Sequence, residues 1–402
     1  DLGTEHTTET TTEITTETTT EITTETTTEK RYRMSRLHRL STDFGQSPWL
    51  DNLRRSYLTS GALAELRDRG VRGLTSNPTI FQKAIQGSTD YDEQFGALVA
   101  EGASIDEAYW AMVESDIHGA CDVFEAVHRE SSGDDGHVSV EVDPTLAHDG
   151  QGTETAARAL HERFRRDNLM VKIPATPDGL PAIEQMIAEG RNVNVTLIFS
   201  LERHQAVMDA YLRGLERFAH DPSADLGQVA SVASFFISRV DVEVDRRLAT
   251  IGTEQADSLR GKAAISQARL AYAQFERTFS GPRWEALAQR GARVQRPLWA
   301  STGRKNPEYS DVMYVDELIG PLTVNTLPED TLEAFDDHGT LGRTIDGDGD
   351  DARRVWDDLS DIGVDLDDVA LRLEHDGVAA FMASFDDLLD TLRVKASELG
   401  RA

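Results

Sequence analysis

The feature that most constrains the fold is an alternation of short apolar segments with stretches of helical periodicity, which begins at Ser47. The apolar segments predict strands at residues 71–75, 137–142, 169–173, 193–199, 228–240, 297–301, 311–315 and 321–325. About eight strands separated by helices over roughly 290 residues predict a parallel sheet, most simply a (β/α)8 barrel. Helical pattern over 47–69 and over 378–398 predicts extra helices at both ends of this α/β domain.

An open, doubly wound sheet is the alternative architecture for such an alternation. It would bind nucleotides through a glycine-rich loop after the first strand. The sequence has neither a G-x-G-x-x-G motif there nor a phosphate-binding P-loop elsewhere, and this favours the barrel.

The first 33 residues differ in composition from the rest of the chain. Residues 4–29 repeat Thr-Thr-Glu-Thr and Thr-Thr-Glu-Ile, so a glutamate recurs at every fourth position. On a helix these glutamates would lie one above another and repel, and threonine disfavours helix further. We therefore predict a disordered tail at 1–33 and a single barrel domain at 34–402.

Composition restricts the partners and the setting. The net charge of −30 disfavours nucleic acid and anionic membranes as partners, and no apolar run approaches the roughly 18 residues of a membrane span. A lone cysteine, Cys121, indicates a reducing cytoplasmic setting. Residues 329–390 hold 20 Asp and Glu against 4 Arg, which suggests a halophilic surface, although a genome of high GC content would also deplete lysine.

One of the six lysines in the chain, Lys172, interrupts an apolar run at 169–174 that otherwise has the pattern of a buried strand. Burial removes the hydration of an ammonium and favours the neutral amine, which is the nucleophile that Schiff-base chemistry requires. The alternative is a lysine at a strand end that extends its charged head to solvent. The residues at the other strand ends decide between these interpretations.

Polar residues stand at the ends of nearly all the predicted strands, where a barrel places its chemistry. They are Thr75-Ser76-Asn77-Pro78, Glu141-Val142-Asp143-Pro144, Lys172, Asn194 with Thr196, Ser234 with Arg239, and Ser301-Thr302. Each one alone could be a turn or a cap, but the pattern across six strands indicates an active site.

The combination of these motifs resembles the transaldolase family, whose members are class I aldolases that form a Schiff base. The resemblance runs from about Trp49 to Leu392. Its motifs are Trp49-Leu50-Asp51, Leu74-Thr75-Ser76-Asn77-Pro78-Thr79, Val140-Glu141-Val142-Asp143-Pro144, Val171-Lys172-Ile173-Pro174-Ala175-Thr176, Asn194-Val195-Thr196-Leu197-Ile198-Phe199-Ser200 and Trp299-Ala300-Ser301-Thr302.

The resemblance implies a role for each matching residue. Lys172 would form the Schiff base, and Glu141 would act through a water held by Thr196. Asp51 would exchange the proton of the C4 hydroxyl when the carbon–carbon bond breaks. Asn77 and Asn194 would hydrogen-bond the substrate hydroxyls and the lysine nitrogen. The region that binds the substrate phosphate would hold Ser234, Arg239 and Ser301.

Some assignments stay open at this stage. The family's simpler bacterial members carry an arginine soon after the Ala-Ser of the seventh strand, and here both Arg304 and Lys305 are candidates. Ser234 lies in Ser-Phe-Phe instead of the commoner Ser-Pro-Phe, so it is less secure than Arg239. No close pair of histidines on one helix supports a metal site, and we expect neither a metal nor a cofactor.

The resemblance also implies the reaction. It predicts transfer of a dihydroxyacetone unit from sedoheptulose 7-phosphate to glyceraldehyde 3-phosphate, in the non-oxidative pentose phosphate pathway. The partners would be sugar phosphates, and a homodimer is compatible with the sequence. The alternatives are a simple Schiff-base aldolase acting on fructose 6-phosphate and a catalytically silent barrel that serves as a scaffold.

Overall fold

Eight parallel strands close into a barrel in which each strand pairs with the next along the chain and β8 pairs with β1. The computed structural model describes residues 34–346 and 349–399, so the predicted tail at 1–33 lies outside the described residues. The barrel confirms the predicted fold class. The strands are β1 Gln46–Leu50, β2 Leu74–Thr75, β3 Val138–Glu141, β4 Leu169–Pro174, β5 Val193–Ile198, β6 Ser231–Phe236, β7 Arg296–Ala300 and β8 Thr323–Leu327.

Helices surround the barrel and extend the chain at both ends. In chain order they are α1 Arg36–Phe44, α2 Arg55–Ser60, α3 Ala62–Asp68, α4 Pro78–Gln86, α5 Asp92–Ala100, α6 Ile105–Glu130, α7 Gly150–Phe164, α8 Leu180–Ala188, α9 Leu201–Phe218, α10 Ser238–Ile251, α11 Glu254–Leu259, α12 Ala263–Thr278, α13 Pro282–Ala288, α14 Met313–Asp316, α15 Glu329–His338, α16 Gly349–Asp361 and α17 Leu366–Leu399. Within the described residues, no helix is both long and apolar enough to cross a membrane.

The prediction of a helix over 47–69 is wrong at its start, where the chain forms the strand β1, whereas α2 and α3 lie within the rest of this range. Pro48 resembles the first residue of a helix, but it lies in the middle of β1. Successive N–H groups of a strand point to opposite neighbours, and Asp51 N donates to Leu327 O on the β8 side at 2.8 Å. The nitrogen of Pro48 therefore faces the β2 side, where β2 pairs with β1 only at Leu50. A proline that lacks a donor is tolerated at such a position.

Two other strand predictions also need correction. The segment 311–315 is not a strand, because its apolar residues belong to the short helix α14, which buries Tyr314 and Val315 beside the barrel. The strand predicted at 228–240 ends at Phe236, and α10 begins at Ser238. Arg239 therefore lies in the first turn of a helix and not at the end of a strand.

The C-terminal helix α17 is longer than the predicted 378–398 and begins at Leu366. The carboxylate of Asp365 accepts a hydrogen bond from Asp368 N at 2.9 Å, which satisfies one of the free donors in the first turn. The helix then passes close to the carboxyl ends of β5 and β6. A Cβ atom at Gly377 would lie 3.0 Å from Leu197 Cδ2 and 3.5 Å from Arg239 Nη1, so the absence of a side chain permits this approach.

Candidate active site

A cavity of about 320 Å³ opens at the carboxyl ends of the strands. It brings together most of the residues that the sequence marks as candidates, although they are spread over more than 250 positions of the chain. The predicted residues that line it are Asp51, Asn77, Lys172, Thr196, Ser234, Arg239, Ser301 and Lys305. Glu141, Asn194 and Arg304 do not line this cavity.

Lys172 lies on β4 and is only 5% exposed, so it does not extend its head to bulk solvent. Its ammonium lies 3.2 Å from a carboxylate oxygen of Glu141, whose side chain is also almost fully buried. Lys172 Nζ also donates a hydrogen bond to Ser76 O at 3.1 Å. The expected apolar surroundings are thus interrupted by one carboxylate, which can accept a proton from the amine.

The barrel register explains why Glu141 and Lys172 meet. Glu141 on β3 is opposite Lys172 on β4, and Lys172 is opposite Asn194 on β5. Paired residues on adjacent parallel strands lie side by side and point the same way, so the three side chains lie next to one another inside the barrel.

Asn194 is held inside the barrel and does not line the cavity. Its Oδ1 accepts a hydrogen bond from Ser234 Oγ at 2.7 Å, and its Nδ2 donates to Ser139 Oγ at 3.0 Å. Both groups of the amide are therefore engaged with neighbouring strands. Asn194 stands beside Lys172 and orients Ser234, which itself lines the cavity.

Asp51 follows β1 and enters the cavity from the side of the barrel opposite β5. Thr75 Oγ1 donates a hydrogen bond to Asp51 Oδ1 at 2.8 Å, and the hydroxyls of Thr75 and Thr326 lie 2.7 Å apart. Because a hydroxyl has one proton, Thr326 donates to Thr75 when Thr75 donates to Asp51. This chain of hydrogen bonds fixes the orientation of the carboxylate.

Burial raises the pKa of both active-site carboxyl groups. For Asp51 the nearby charge of Lys172 and the Thr75 hydrogen bond oppose this effect, and for Glu141 the charge of Lys172 opposes it. The negative charge of Asp51 also raises the pKa of Glu141. Both groups therefore bind protons more tightly than exposed carboxylates do, which suits groups that exchange protons with a substrate.

Thr196 lies next to an irregularity in β5. The register with β6 shifts between Val195 and Ile198, and Leu197 has a left-handed backbone with φ of 60°. A β-branched or bulky residue adopts this conformation at an energetic cost, and such strain is concentrated at functional sites. The Thr196 hydroxyl and Glu141 Oε1 are buried without a hydrogen-bond partner among the described residues, and Glu141 Oε2 has the Lys172 ammonium beside it.

Arg239 and Ser301 face the cavity from neighbouring segments. Arg239 stands in the first turn of α10, with its guanidinium carbon 5.1 Å from the ring centroid of Phe236. Burial lowers the pKa of Arg239, and the negative charges of Asp51 and Glu141 oppose this. Ser301 has φ of 56°, and its hydroxyl lies 3.0 Å from that of Ser238.

The loop after β7 separates the two candidates that the sequence left open. Lys305 lines the cavity, where burial and the charge of Arg239 lower its pKa. Arg304 donates to the carbonyl oxygens of Tyr309 at 3.2 Å and Pro307 at 3.5 Å, within its own loop. Only Lys305 is thus placed to contact a molecule in the cavity.

Asn77 has a structural task as well as a place in the cavity. Its Oδ1 accepts a hydrogen bond from Ile80 N at 3.0 Å and caps α4, whose first residue is Pro78. Proline suits the first position of a helix because its missing donor would be free there in any case. The cap fixes the helix relative to the end of β2.

Sequence reasoning missed several residues that line the cavity: Thr79, Ile80, Lys83, Phe236, Thr326, Pro328 and Phe381. Thr79 and Phe236 lie inside or beside motifs that were recognised, so their proximity carried a signal. Phe381 comes from α17, and nothing in its spacing indicates a contact with residues 53 to 330 positions earlier. Among residues 34–346 and 349–399, no three His, Cys, Asp or Glu side chains form a group that could hold a metal ion.

These features define a class of protein. The molecule is a parallel barrel in which a buried lysine adjoins one carboxylate, faces a second across a cavity, and shares that cavity with cationic side chains. An amine can attack a carbonyl carbon there, carboxylates can move the protons, and the cations can bind an anionic group.

Comparison with known proteins agrees with this class. The profile of the family described as Transaldolase/Fructose-6-phosphate aldolase matches residues 48–392. A protein named transaldolase from Parafrankia sp. (strain EAN1pec) is 54% identical over 360 residues, which cover 89% of this chain and 96% of that protein. Proteins of the same name from Thermobifida fusca and Mycolicibacterium smegmatis are 54% and 53% identical, over 89% and 86% of this chain and 97% and 94% of their own lengths. The chain belongs to the transaldolase/fructose-6-phosphate aldolase family.

Proposed function

We propose that this protein is a transaldolase that moves a dihydroxyacetone unit from sedoheptulose 7-phosphate to glyceraldehyde 3-phosphate. The observation that carries the proposal is Lys172, buried at the base of the cavity with its amine 3.2 Å from Glu141. The whole-length similarity to proteins named transaldolase supports the same activity. The products would be erythrose 4-phosphate and fructose 6-phosphate, as in the non-oxidative pentose phosphate pathway.

Imine formation is the first proposed step. The amine of Lys172 attacks the C2 carbonyl of the ketose and gives a carbinolamine, which must lose water to become an imine. Glu141 supplies and removes the protons for this dehydration through a water held by Thr196. Glu141 Oε1 and the Thr196 hydroxyl have no partner among the described residues. They support this assignment, because buried polar atoms without a protein partner usually bind water.

Carbon–carbon cleavage is the second step. Asp51 accepts the proton of the C4 hydroxyl, the C3–C4 bond breaks, and its electron pair moves into the protonated imine to form an enamine. The fragment that contains C4 leaves as an aldose phosphate. The three-carbon enamine then attacks the aldehyde carbon of the acceptor, Asp51 returns the proton to the new hydroxyl, and hydrolysis of the imine frees Lys172.

Phosphate binding is assigned to the cations on the β6 and β7 side of the cavity. Arg239 presents a planar guanidinium that can bind two phosphate oxygens, and Lys305 adds a second positive charge. Ser301 and Ser234 line the same wall. Asn77 remains a proposed donor to substrate hydroxyls.

A coupled assay tests the proposed function directly. Purified protein should form erythrose 4-phosphate and fructose 6-phosphate from the two substrates, and Lys172→Ala should abolish this turnover. Lys262→Ala removes an exposed lysine that does not line the cavity and serves as the matched control. A simple aldolase would instead release free dihydroxyacetone at the same rate with or without acceptor, and a silent scaffold would show neither reaction.

Every residue assigned to the active site lies in the proposed barrel domain at 34–402, so a chain that begins at Met34 should keep the turnover of the full chain. A homodimer is the expected assembly, which sedimentation would test. A cytoplasmic setting is expected because the proposed substrates are sugar phosphates of central metabolism, and cell fractionation would test it.

A further inference from the structure

Lysine is rare in this chain, and its distribution is uneven. Of the six lysines in the sequence, three line the active-site cavity: Lys83, Lys172 and Lys305. Lys172 and Lys305 already have proposed roles. Lys83 comes from a different part of the barrel, and neither the family motifs nor the mechanism above uses it.

Lys83 stands on the face of α4 that is turned toward the cavity. Thr79 and Lys83 are four residues apart, so they lie one above the other on the same side of the helix, and both line the cavity. Phe81 and Ile85 point the other way and are buried in the core. The amphipathic pattern of α4 therefore fixes Lys83 at the mouth of the active site.

The C-terminal helix α17 holds α4 in position through hydrogen bonds. The hydroxyls of Thr79 and Ser384 lie 2.8 Å apart, and Gln86 Nε2 donates to Thr391 Oγ1 at 2.7 Å. These contacts join α17 to both ends of α4, and Phe381 lines the cavity between them and Arg239. Lys83 thus extends from an anchored backbone even though its side chain is exposed.

The three cations at the mouth of the cavity form no direct ion pair among the described residues, although the charge of Asp51 acts on Arg239 and Lys305. Lys83, Arg239 and Lys305 make no ion pair within 4.0 Å in the part of the chain that the structure describes, although 71 Asp and Glu are present in the sequence. Their like charges also act on one another. Burial has the largest effect and lowers the pKa of Lys305. The charge of Arg239 lowers it further, the charge of Asp51 opposes this, and the charge of Lys83 adds a smaller lowering effect.

A cation near the carboxyl end of a helix is often explained by the helix dipole, and Lys83 does lie in the last turn of α4. That effect accounts for one lysine on an exposed surface. It does not account for the placement of that lysine near two other cations. The charge of Asp51, which lines the same cavity, offsets only part of this repulsion, so a further anion between the three cations would be favourable.

The barrel order shows how such an anion would be held. Lys83 follows β2 and Arg239 follows β6, which are four strands apart and hence on opposite sides of a barrel of eight strands. Lys305 follows β7 and is electrostatically coupled to both. An anion among them would be contacted from both sides of the mouth.

We propose that Lys83 is a third phosphate-binding cation, which holds the phosphate of the sugar substrates from the side of the barrel opposite Arg239. The inference rests on the proposed transaldolase activity for the identity of the substrates, but not for the existence of the anion site. Lys83 does not contact the reacting carbon atoms in this arrangement. Its effect should therefore appear in the binding of phosphorylated substrates and not in the chemistry at Lys172.

The test compares Lys83→Met with Lys262→Met, which removes the same charge from an exposed position outside the cavity. With the ketose donor saturating, the KM for glyceraldehyde 3-phosphate should rise about three- to tenfold in Lys83→Met, while kcat changes less than twofold. The KM for unphosphorylated glyceraldehyde should stay as in the unmodified protein. Lys262→Met should leave all three values unchanged, and Lys83→Arg should restore most of the affinity.

A binding measurement separates this inference from the proposed activity. Calorimetric titration with inorganic phosphate needs no turnover, so it reports on the anion site even if the transfer assay fails. Weaker phosphate binding in Lys83→Met but not in Lys262→Met supports the inference. Equal phosphate binding in both variants, or an equal rise in KM for phosphorylated and unphosphorylated acceptors, would overturn it.

Discussion

At the scale of single residues, the division of labour between two carboxylates is the most specific part of the account. Glu141 touches Lys172, whereas Asp51 stands across the cavity and is oriented by Thr75. Two carboxyl groups in different surroundings can serve different steps of one reaction. Burial is the main cause of the raised pKa of each group, and the charge of Lys172 opposes it in both.

Replacement of each carboxylate should therefore block a different step. Glu141→Gln should slow imine formation, and Asp51→Asn should leave imine formation intact but stop cleavage. Losses of about 10²- to 10⁴-fold in turnover are expected for a group that transfers protons. Mass spectrometry after borohydride reduction distinguishes the two, because an uncleaved adduct in Asp51→Asn retains the whole sugar. The same blocked step in both variants would contradict the division of labour.

The active-site residues at the strand ends could be predicted from the sequence, because the closed barrel brings the ends of all its strands together. Glu141, Lys172 and Thr196 follow from strands that the apolar pattern marks clearly. Lys83 and Phe381 could not be found this way, because each lies on a helix whose distance from the cavity depends on packing. The choice between Arg304 and Lys305 also depends on a loop conformation that no local pattern specifies.

At the scale of elements, the loop after β7 depends on α10 for its position. Tyr314 OH donates to Asp241 at 2.8 Å, and Tyr309 OH donates to Asp245 at 2.5 Å. Ala264 N adds a third hydrogen bond, to Asp241. The helix that carries Arg239 in its first turn thus also anchors the loop that carries Lys305.

The anchoring residue Asp241 predicts a pH dependence of stability. Burial raises the pKa of Asp241 from its ordinary value of 3.8 to about 6. The folded protein then binds the proton more tightly than the unfolded chain, so this group's contribution to stability is complete below about pH 4 and is lost as the pH rises through about 6. Asp241→Asn cannot titrate and keeps a similar shape. The melting temperature of the variant relative to the unmodified protein should therefore rise by a few degrees between about pH 4 and pH 7, and a difference that is constant with pH would contradict this reasoning.

Element boundaries show where sequence patterns fail. The first strand was predicted as a helix because Ser47-Pro48 has the form of a helix start, and only the barrel shows that the missing donor of Pro48 is harmless there. The segment 311–315 has strand-like composition, yet it forms the turn of helix α14 that contributes Tyr314 to the Asp241 anchor. Short apolar runs do not distinguish a strand from a buried helical turn.

At the scale of the whole molecule, charge should govern stability. The net charge of −30 makes the folded state repel itself at low ionic strength, most strongly around residues 329–390. The Debye length falls from about 10 Å at 0.1 M salt to about 3 Å at 1 M, which screens that repulsion. The melting temperature should therefore rise with KCl into the molar range, and the KM for sugar phosphates should rise as well because the same screening weakens phosphate binding. A melting temperature that is flat or falls between about 0.1 M and 2 M KCl would contradict the halophilic interpretation.

The central claim is that Lys172 is the covalent nucleophile of this barrel. Incubation with fructose 6-phosphate and borohydride, followed by peptide mass spectrometry, tests it most directly. We expect one reduced three-carbon adduct on the peptide that contains Lys172, and no adduct in a folded Lys172→Ala variant. An adduct on Lys83, Lys262 or Lys305 instead, or an adduct that persists in Lys172→Ala, would contradict the account.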